Sequence, residues 1–412
     1  MRSGRPTLTR RRRALLVTAA FLVFGAGVSV LYRAGTHCAR VAAYQVTEIV
    51  PPPGFTSTEG GAINASGQIT GRMFGFGPSG SPVAHGFLWK SGRVTDLGVL
   101  PGFVRSRGCG LNDKGQAVGT LEADTVVVRP APGGSRSSSS VQCEGFQTAG
   151  GKMTPLPRLP GFTEGTAAAI NGQGQIAGTA YTHGNDYGRG LLYDRGKMTS
   201  LETLGTLAGH ARVGSIASGR NRSGQVVGTA SAYDNLSVCS HCAFLYSKGT
   251  MRGLGSLPGY VHSFGAALND KGQVVGTAAE YEPAEYGLCR AFLWQGGVRQ
   301  DPGPLPGFKD TFGTALNAQG DVVGGGESLP PLQDFLQNRL PFSAPAPTEP
   351  PRHAFLYRSG RMDDLNGLID PRSGWELETA VGINDAGQIV GTGTRGGATR
   401  AFVLTPLRAG AP

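Results

Sequence analysis

Six cysteines are the most reactive residues of this sequence, and two of them, Cys239 and Cys242, form a Cys-x-x-Cys motif around His241. A structural zinc site would need two further ligands in a second cluster, and the sequence supplies none. A thioredoxin-like redox motif would need a βαβ context, which is also missing. We therefore expect no metal and no cofactor, and favour structural disulfides. The candidates are Cys109, Cys143, Cys239, Cys242 and Cys289.

Carboxylates near recurrent connecting segments are the candidates for acid–base chemistry. Glycoside hydrolysis, for example, uses two carboxylates at a defined separation. Four candidates occupy differing positions within their segments: Glu59, Glu164, Asp310 and Glu378. The sequence has neither a Gly-x-Ser-x-Gly nucleophile elbow nor a His-Glu-x-x-His zinc motif. Its charged residues are scattered as on a solvated surface, and this pattern favours a protein without catalytic activity.

A further set of candidates is aromatic and recurs after the glycine of Leu-Pro-Gly-like segments. Rings around a common axis could stack on sugars or bind a peptide. Large aromatic side chains are usually buried, however, and a ligand rarely needs an equivalent contact from nearly every repeat. We therefore favour packing between repeats as their role. The set comprises Phe55, Phe103, Phe162, His210, Tyr260 and Phe308, with Trp375 near the irregular last segment.

All these candidates belong to sequence repeats. An Asn-x-x-Gly-Gln motif, or a close variant, occurs seven times, and three of the spacings between successive copies are 48 residues. Such a period is typical of stacked supersecondary units that share one core. Each Asn side chain is expected to cap its own turn, in which the following Gly supplies a positive φ. The copies begin at Asn64, Asn112, Asn171, Asn221, Asn269, Asn317 and Asn384.

Each repeat contains two hairpins and hence four short strands. Four-stranded units repeated radially form propeller blades. YQVTEI at Tyr44 resembles a fourth strand without predecessors, and RAFVLTP at Arg400 a third strand without a successor. We therefore predict an all-β fold, a seven-bladed β-propeller with four-stranded antiparallel blades, in which the N-terminal strand closes the last blade. A linear β-solenoid would leave these matched ends unexplained.

Several phrases of the sequence resemble a known bacterial family, the HAF extracellular repeat. They are INDAGQIVG, RAFLW, HAFLY and DLGVLPGF, and the family is named for the His-Ala-Phe tripeptide found here at His353. The resemblance runs from about residue 44 to residue 406, although Cys242, Arg290 and Arg400 replace the His of the tripeptide. It implies an exported or surface repeat protein with a propeller-like fold, and it implies no established reaction.

The net charge of +10 comes largely from the N-terminus, where eight Arg and no acidic residue precede Tyr44. The remainder is nearly neutral and lacks the electrostatic footprint of nucleic-acid binding. The Arg run over 10–13 is followed by a 19-residue apolar segment that ends at Tyr32. A basic segment followed by an apolar one directs export, and this length approaches that of a bilayer span.

The N-terminal segment sets the predicted localisation and domain order. We expect an uncleaved transmembrane helix with a cytoplasmic N-terminus, or a cleaved signal peptide. The propeller would then lie in the periplasm, or be secreted or at the cell surface if the segment is cleaved. In such an oxidising compartment we expect bridges from Cys109 to Cys143 and from Cys289 to the Cys239/Cys242 pair. The predicted domains are a basic n-region 1–13, an anchor or signal 14–32, a linker 33–43, a propeller 44–406 and a tail 407–412.

Two long insertions, 129–142 and 328–352, separate second from third strands. Insertions on one face of a repeat protein usually mark its binding face. The Ser-rich first insertion is predicted to be disordered, and LQDFLQNRL in the second could form a short amphipathic helix. We expect a monomeric, non-catalytic binding or scaffolding module for a protein or carbohydrate ligand. The alternative is a propeller-type hydrolase or lyase that acts on polysaccharide.

Overall fold

The computed structural model describes most of the chain from residue 42 onward. The described ranges are 42–77, 80–131, 134–182, 185–201, 212–234, 237–280, 288–327 and 352–407. The predicted n-region, the predicted anchor or signal segment, most of the linker, His210 and the insertion up to residue 351 lie outside them. Within the described ranges, no helix has the length and apolar character needed to cross a membrane.

The described part of the chain begins with β1 (Tyr44–Ile49) and then forms two antiparallel four-stranded meanders. These are β2–β5 (Phe55–Ile63, Ile69–Phe76, Pro82–Lys90 and Arg93–Gly98) and β6–β9 (Arg105–Leu111, Ala117–Ala131, Gly134–Ala149 and Lys152–Pro155). A single parallel bridge between Ala84 and Arg105 joins the two meanders into one eight-stranded sheet. Short apolar runs separated by Asn- and Gly-containing turns give these hairpins.

Four further stretches each form a separate four-stranded sheet, whose strands pair in chain order. They are β10–β13 (Glu164–Ile170, Ile176–Thr182, Asn185–Asp194 and Lys197–Ser200), β14–β17 (Arg212–Arg220, Val226–Asp234, Ser237–Ser247 and Thr250–Gly253), β18–β21 (His262–Leu268, Val274–Ala279, Cys289–Gln295 and Val298–Gln300) and β22–β25 (Asp310–Leu316, Val322–Glu327, Arg352–Arg358 and Arg361–Asp364).

The last sheet joins the two ends of the repeat region. Two short 3₁₀ helices, Leu365–Leu368 and Pro371–Ser373, lead into β26–β28 (Trp375–Ile383, Ile389–Arg395 and Ala398–Pro406). The strand order is β1-β28-β27-β26, and β1 pairs antiparallel with β28 over its whole length. The predicted pairing of the orphan first strand with the last strand is therefore confirmed. It leaves no unpaired sheet edge at the junction.

A buried phenylalanine in most third strands explains the conserved spacing of Gly and Phe within the repeats. Its ring lies over a glycine of the second strand. A Cβ atom added to Gly324 would come within 2.8 Å of the Phe355 ring and within 1.9 Å of the Phe312 carbonyl oxygen. Close packing of this kind leaves no room for a larger residue. The fully buried rings are Phe87, Phe146, Phe244, Phe292, Phe355 and Phe402.

The Asn motif caps its own turn, as predicted, and also links neighbouring repeats. In the first copy, Oδ1 of Asn64 accepts hydrogen bonds from the backbone N–H groups of Ser66 and Gln68. Its Nδ2 donates to the backbone carbonyl oxygen of Asn112 in the next copy, at 2.9 Å. Equivalent bonds run from Asn112 to Asn171, Asn171 to Asn221, Asn221 to Asn269, Asn269 to Asn317 and Asn384 to Asn64. We call this set the Asn belt.

A second repeated contact ties five of the seven first strands to the preceding sheet. A Ser or Thr hydroxyl six residues before the motif Asn accepts a hydrogen bond from a third-strand N–H group. Examples are Ala291 N–H to Oγ1 of Thr311 at 3.2 Å and Ala401 N–H to Oγ1 of Thr58 at 2.9 Å. In both examples, the donor residue directly precedes the buried phenylalanine. In the Ala-Phe pair of the repeat, the Ala therefore supplies the backbone hydrogen bond and the Phe supplies a ring to the hydrophobic core.

The first insertion forms regular structure, so the prediction of disorder for 129–142 was wrong. β7 and β8 extend as a paired hairpin to Ala131 and Gly134. A β-prone run, Thr125–Val128, can continue the pairing begun by the preceding strand, and the turn sequence contains Pro and Gly. Composition alone missed this because it ignores the neighbouring strand, which offers the hydrogen-bonding partners.

Candidate functional site

The crossovers between sheets and the loops between second and third strands lie on one face, here called the crossover face. Backbone bonds from Val104 N–H to the Glu122 carbonyl (2.9 Å) and from Val261 N–H to the Ala279 carbonyl (3.1 Å) hold crossovers beside the ends of second strands. The Asn belt and the turns between third and fourth strands lie on the opposite face, here called the turn face.

Exposed apolar side chains concentrate on the crossover face. Of the seven large exposed hydrophobic residues in the described ranges, five lie there, and these are Val50, Phe76, Val104, Val261 and Leu288. The first two flank the crossover into β2, where Phe76 N–H donates to the Gly54 carbonyl oxygen. Apolar side chains that a repeat protein exposes on one face make that face a candidate interaction surface.

The recurrent aromatic residues pack against the hydrophobic core. Those described are Phe55, Phe103, Phe162, Tyr260, Phe308 and Trp375, and each contacts a buried cluster. Phe308, for example, follows a turn in which its N–H donates to the Leu305 carbonyl oxygen at 2.9 Å and Gly307 has a φ of 91°. The packing role favoured from the sequence fits these contacts, and a ligand-binding role stays a prediction.

The first residue of the His-Ala-Phe tripeptide pairs with a carboxylate near the fourth strand of its sheet. Nδ1 of His353 lies 2.7 Å from Oδ2 of Asp364, and Nδ1 of His85 lies 2.9 Å from Oδ2 of Asp96. Arg400, which replaces the His, bonds Glu48 on β1 at 2.9 Å. The exchange of His for Arg therefore keeps a side chain that can donate a hydrogen bond to the carboxylate.

Two of the four predicted catalytic carboxylates have protein partners of their own. Glu59 on β2 forms a 3.0 Å ion pair with Arg72 on β3. Asp310 on β22 is buried, and its Oδ1 accepts a 2.7 Å hydrogen bond from the backbone N–H of Cys289. Burial raises the pKa of Asp310, while the Cys289 hydrogen bond opposes that rise.

The other two predicted carboxylates lie on further sheets. Burial lowers the pKa of Arg352, and the negative charge of nearby Glu378 on β26 opposes that fall. Arg352 also forms an ion pair with the buried Glu327 on the neighbouring strand. Glu164 on β10 lines a small groove together with the Glu144–Arg158 ion pair, whose closest atoms are 2.8 Å apart.

The arrangement of these carboxylates offers little for hydrolysis. The four predicted residues lie on first strands of four different sheets. A glycosidase needs one protonated carboxylic acid and one ionised carboxylate on either side of the same bond. Glu59 is held by Arg72 and Asp310 by a backbone donor, so each is occupied within the protein. The sequence analysis did not single out Glu327, which directly precedes the second insertion.

The predicted disulfide between Cys109 and Cys143 is wrong, since both are free thiols. Cys109 lies on β6 and Cys143 on β8, with β7 between them. Strands two places apart are separated by about 9.5 Å, whereas a disulfide needs α-carbons within about 7 Å. Cys242 and Cys289 are free thiols as well. The side chain of Cys239 lies outside the described residues, so its predicted role is untested.

His241, the residue inside the Cys-x-x-Cys motif, is a buried neutral base. Its Nδ1 lies 2.7 Å from Oγ of Ser231, and its backbone N–H donates to Nδ1 of His262. Nε2 is buried without a hydrogen-bonding partner in the described residues. Burial, and then the neighbouring His262, lower the pKa of His241 to about 4. Within the described residues, no group of His, Cys, Asp and Glu side chains is arranged to hold a metal ion.

Comparison with known proteins extends the description of the fold. No protein-family model matches the sequence, and no curated protein sequence matches it. The described residues repeat four-stranded antiparallel sheets whose first and last strands close on each other. The chain is a β-propeller.

Several solved structures are similar to this propeller. The β-propeller domain of the Trilobed protease from Pyrococcus furiosus matches over 87% of this chain and 99% of its own, with a TM-score of 0.47 and 5% identity. YjhT matches over 76% of this chain and 99% of its own, with a TM-score of 0.40 and 10% identity. This chain spans 54% of TolB from Acinetobacter baumannii, with a TM-score of 0.34 and 13% identity. At such identities the likeness concerns the fold alone.

Proposed function

We propose that this protein is an exported, non-catalytic binding module that holds a protein partner on its crossover face. The observation that carries the proposal is the concentration of exposed apolar side chains there, at Val50, Phe76, Val104, Val261 and Leu288. Apolar side chains exposed to water suit a protein surface better than a sugar, because burial of apolar area stabilises the complex.

The proposal includes a ring of seven four-stranded blades of the HAF repeat type. The blades are β2–β5, β6–β9, β10–β13, β14–β17, β18–β21, β22–β25, and β26–β28 with β1. The hydrogen bond from Asn384 back to Asn64 supports a closed ring, since it joins the last copy of the motif to the first. The parallel bridge at Ala84 and Arg105 is compatible with two separate blades, because it is a single pair at their edges.

Export and anchoring rest on the N-terminal sequence. The basic run at 10–13 and the apolar segment 14–32 favour insertion into the inner membrane with the propeller on the periplasmic side. Cleavage of that segment would instead release the propeller. The near-neutral charge of residues 44–412 supports a partner other than nucleic acid.

A non-catalytic role is supported by the partners of the candidate carboxylates. Arg72 holds Glu59 in an ion pair and the backbone N–H of Cys289 holds Asp310, so each of these carboxylates has a partner within the protein. The hydrolase alternative predicts turnover of a polysaccharide that is lost in Asp310→Asn. Assaying the full-length protein on a panel of bacterial and plant polysaccharides tests this, and such a loss would contradict the non-catalytic proposal.

The binding surface is tested by site-specific photo-crosslinking in cells that express the full chain. A photoreactive amino acid at Phe76, which is 62% exposed on the crossover face, is expected to give a discrete protein adduct. The matched control is Val298, which is 70% exposed but lies at a turn on the opposite face. Equal labelling at the two positions, or none at Phe76, would remove the crossover face as the binding surface.

A further inference from the structure

An open cleft of about 410 Å³ lies on the turn face, where the first repeat meets its neighbours on both sides. The side chains that matter are Gln68, Trp89, Lys90 and Ser91 from the first repeat, Lys114 from the second and Gln388 from the last. The cleft therefore spans the closure of the ring. It is on the opposite face from the surface assigned above to a protein partner.

Two amide groups in the cleft present donors. Oε1 of Gln68 accepts a 2.8 Å hydrogen bond from Nδ2 of Asn64, and Oε1 of Gln388 accepts a 2.9 Å bond from Nδ2 of Asn384. The Asn belt thus engages the oxygen of each amide and leaves its NH₂ group for other acceptors. Neither NH₂ group has an acceptor within the described ranges.

In two other repeats, the third and the fifth, a hydrogen bond fills the position that is open in the first repeat. Nε2 of Gln175 donates to Oδ2 of Asp194 at 2.8 Å, and Nε2 of Gln273 donates to Oε1 of Gln295 at 3.0 Å. The residue equivalent to Asp194 and Gln295 in the first repeat is Lys90. A lysine ammonium group has no acceptor to offer. Lys90 therefore offers no acceptor to the Gln68 amide, whose NH₂ group stays available to a ligand.

Two cations complete the donor set. Lys90 and Lys114 are exposed, and neither ammonium group has an ion-pairing partner among the described residues. The one carboxylate that lines the cleft, Asp113, accepts a 2.9 Å hydrogen bond at Oδ1 from the backbone N–H of Ala65. The cleft consequently has more donors than acceptors and more positive than negative charge.

Trp89 adds an aromatic surface to these donors. Its ring is partly buried against the core cluster that contains Phe87, which fixes its position at the edge of the cleft. Ligand sites typically combine such a ring with a few polar groups that set orientation. We infer that the cleft binds an acidic saccharide, a chain of uronic-acid units. Its carboxylates pair with Lys90 and Lys114, its hydroxyl groups accept from the two amides, and a sugar ring lies against Trp89.

The test measures binding of an oligogalacturonate to the detergent-solubilised full chain by isothermal titration calorimetry at low salt. The double variant Lys90→Ala/Lys114→Ala is expected to weaken binding by about tenfold or more, because each charge-assisted bond contributes substantially. The matched control is Lys271→Ala, which changes the same motif position in the fifth repeat and should leave affinity unchanged. The carboxyl-reduced oligosaccharide should bind at least about tenfold more weakly than the acidic one.

Several results would overturn the assignment. One is the absence of oligogalacturonate binding, and another is a loss of affinity in Lys271→Ala equal to that in the double variant. The others are equal affinity for the carboxyl-reduced oligosaccharide, and displacement of the oligogalacturonate by inorganic phosphate at a concentration equal to that of the uronate units. Trp89→Tyr, which introduces the residue found at this position in three other repeats, should weaken binding while the fold is retained. These outcomes are independent of the crossover face, since the crosslinking experiment at Phe76 leaves the turn face unchanged.

Discussion

Nδ2 of Asn384 donates a 3.1 Å hydrogen bond to the backbone carbonyl oxygen of Asn64, although 320 positions separate the two residues. The same donor group lies 2.9 Å from Oε1 of Gln388 in its own turn. One amide thus stabilises a local turn and closes the ring of repeats. Because the bond is buried, its loss leaves polar groups without partners.

Replacing this amide by a carboxylate tests the closing bond. Asn384→Asp keeps Oδ1 for the turn but places an oxygen against the carbonyl of Asn64 and Oε1 of Gln388. We expect a loss of about 1–3 kcal/mol in the free energy of unfolding. Urea denaturation followed by tryptophan fluorescence measures it. Asn112→Asp serves as a control for an internal link, and a loss below about 0.5 kcal/mol in Asn384→Asp would contradict a structural role for the bond.

A second prediction concerns the glycine beneath the buried third-strand ring. Gly324→Ala would bring a methyl group within 1.9 Å of the Phe312 carbonyl oxygen, which the backbone cannot accommodate without moving. We expect a loss above about 3 kcal/mol or failure to fold. The matched control is Gly172→Ala, because a Cβ atom there meets nothing within 4 Å. Similar melting temperatures for the two variants would contradict the packing argument.

A third prediction concerns acid stability. The pKa of His241 falls to about 4 in the folded chain from an ordinary value of 6.5, mainly through burial. Between these values the unfolded chain binds more protons, so the free energy of unfolding should fall as pH drops from 6.5 towards 4, by up to about 3 kcal/mol from this group. Urea denaturation at pH 7 and pH 4.5 measures the change. His241→Asn should reduce the dependence on pH, and an unchanged dependence would contradict the assignment.

A fourth prediction concerns thiol chemistry. Burial raises the pKa of Cys143 and of Cys289 to about 12, which keeps both as unreactive thiols near neutral pH. Without denaturant, iodoacetamide should modify them slowly, and after unfolding it should modify them quickly. Peptide mass spectrometry of non-reduced protein should find no link between Cys109 and Cys143. Detection of that link would contradict the strand assignment.

The sequence was informative about repeating elements because each one has a local cause. The turn at Asn269 needs a side-chain acceptor and a glycine with positive φ, and Gly272 has a φ of 76°. The pairing of β1 with β28 was predictable because an unpaired strand at each end is unfavourable. Neither inference required knowledge of distances between repeats.

The candidate sites were less predictable because they depend on those distances. The Glu59–Arg72 ion pair and the Cys289 N–H donor to Asp310 arise from neighbouring strands and neighbouring sheets. The cleft beside Lys90 had a signal in the sequence, namely a lysine where the third and fifth repeats carry the acceptors Asp194 and Gln295. The lysine can be interpreted only once the hydrogen bonds from Gln175 and Gln273 to the residues equivalent to Lys90 are known.

The strand pattern, the turns and the pairing of the two ends can be derived from the order of residues, because they follow from residue periodicity and local backbone preference. The contacts that the recurrent residues make between repeats depend instead on how the sheets pack. Asn64 reaches Asn112, and Phe355 covers Gly324, because the sheets stack face to face at a fixed spacing. The same stacking separates Cys109 from Cys143 and leaves a cleft beside Trp89, and neither consequence follows from the order of residues along the chain.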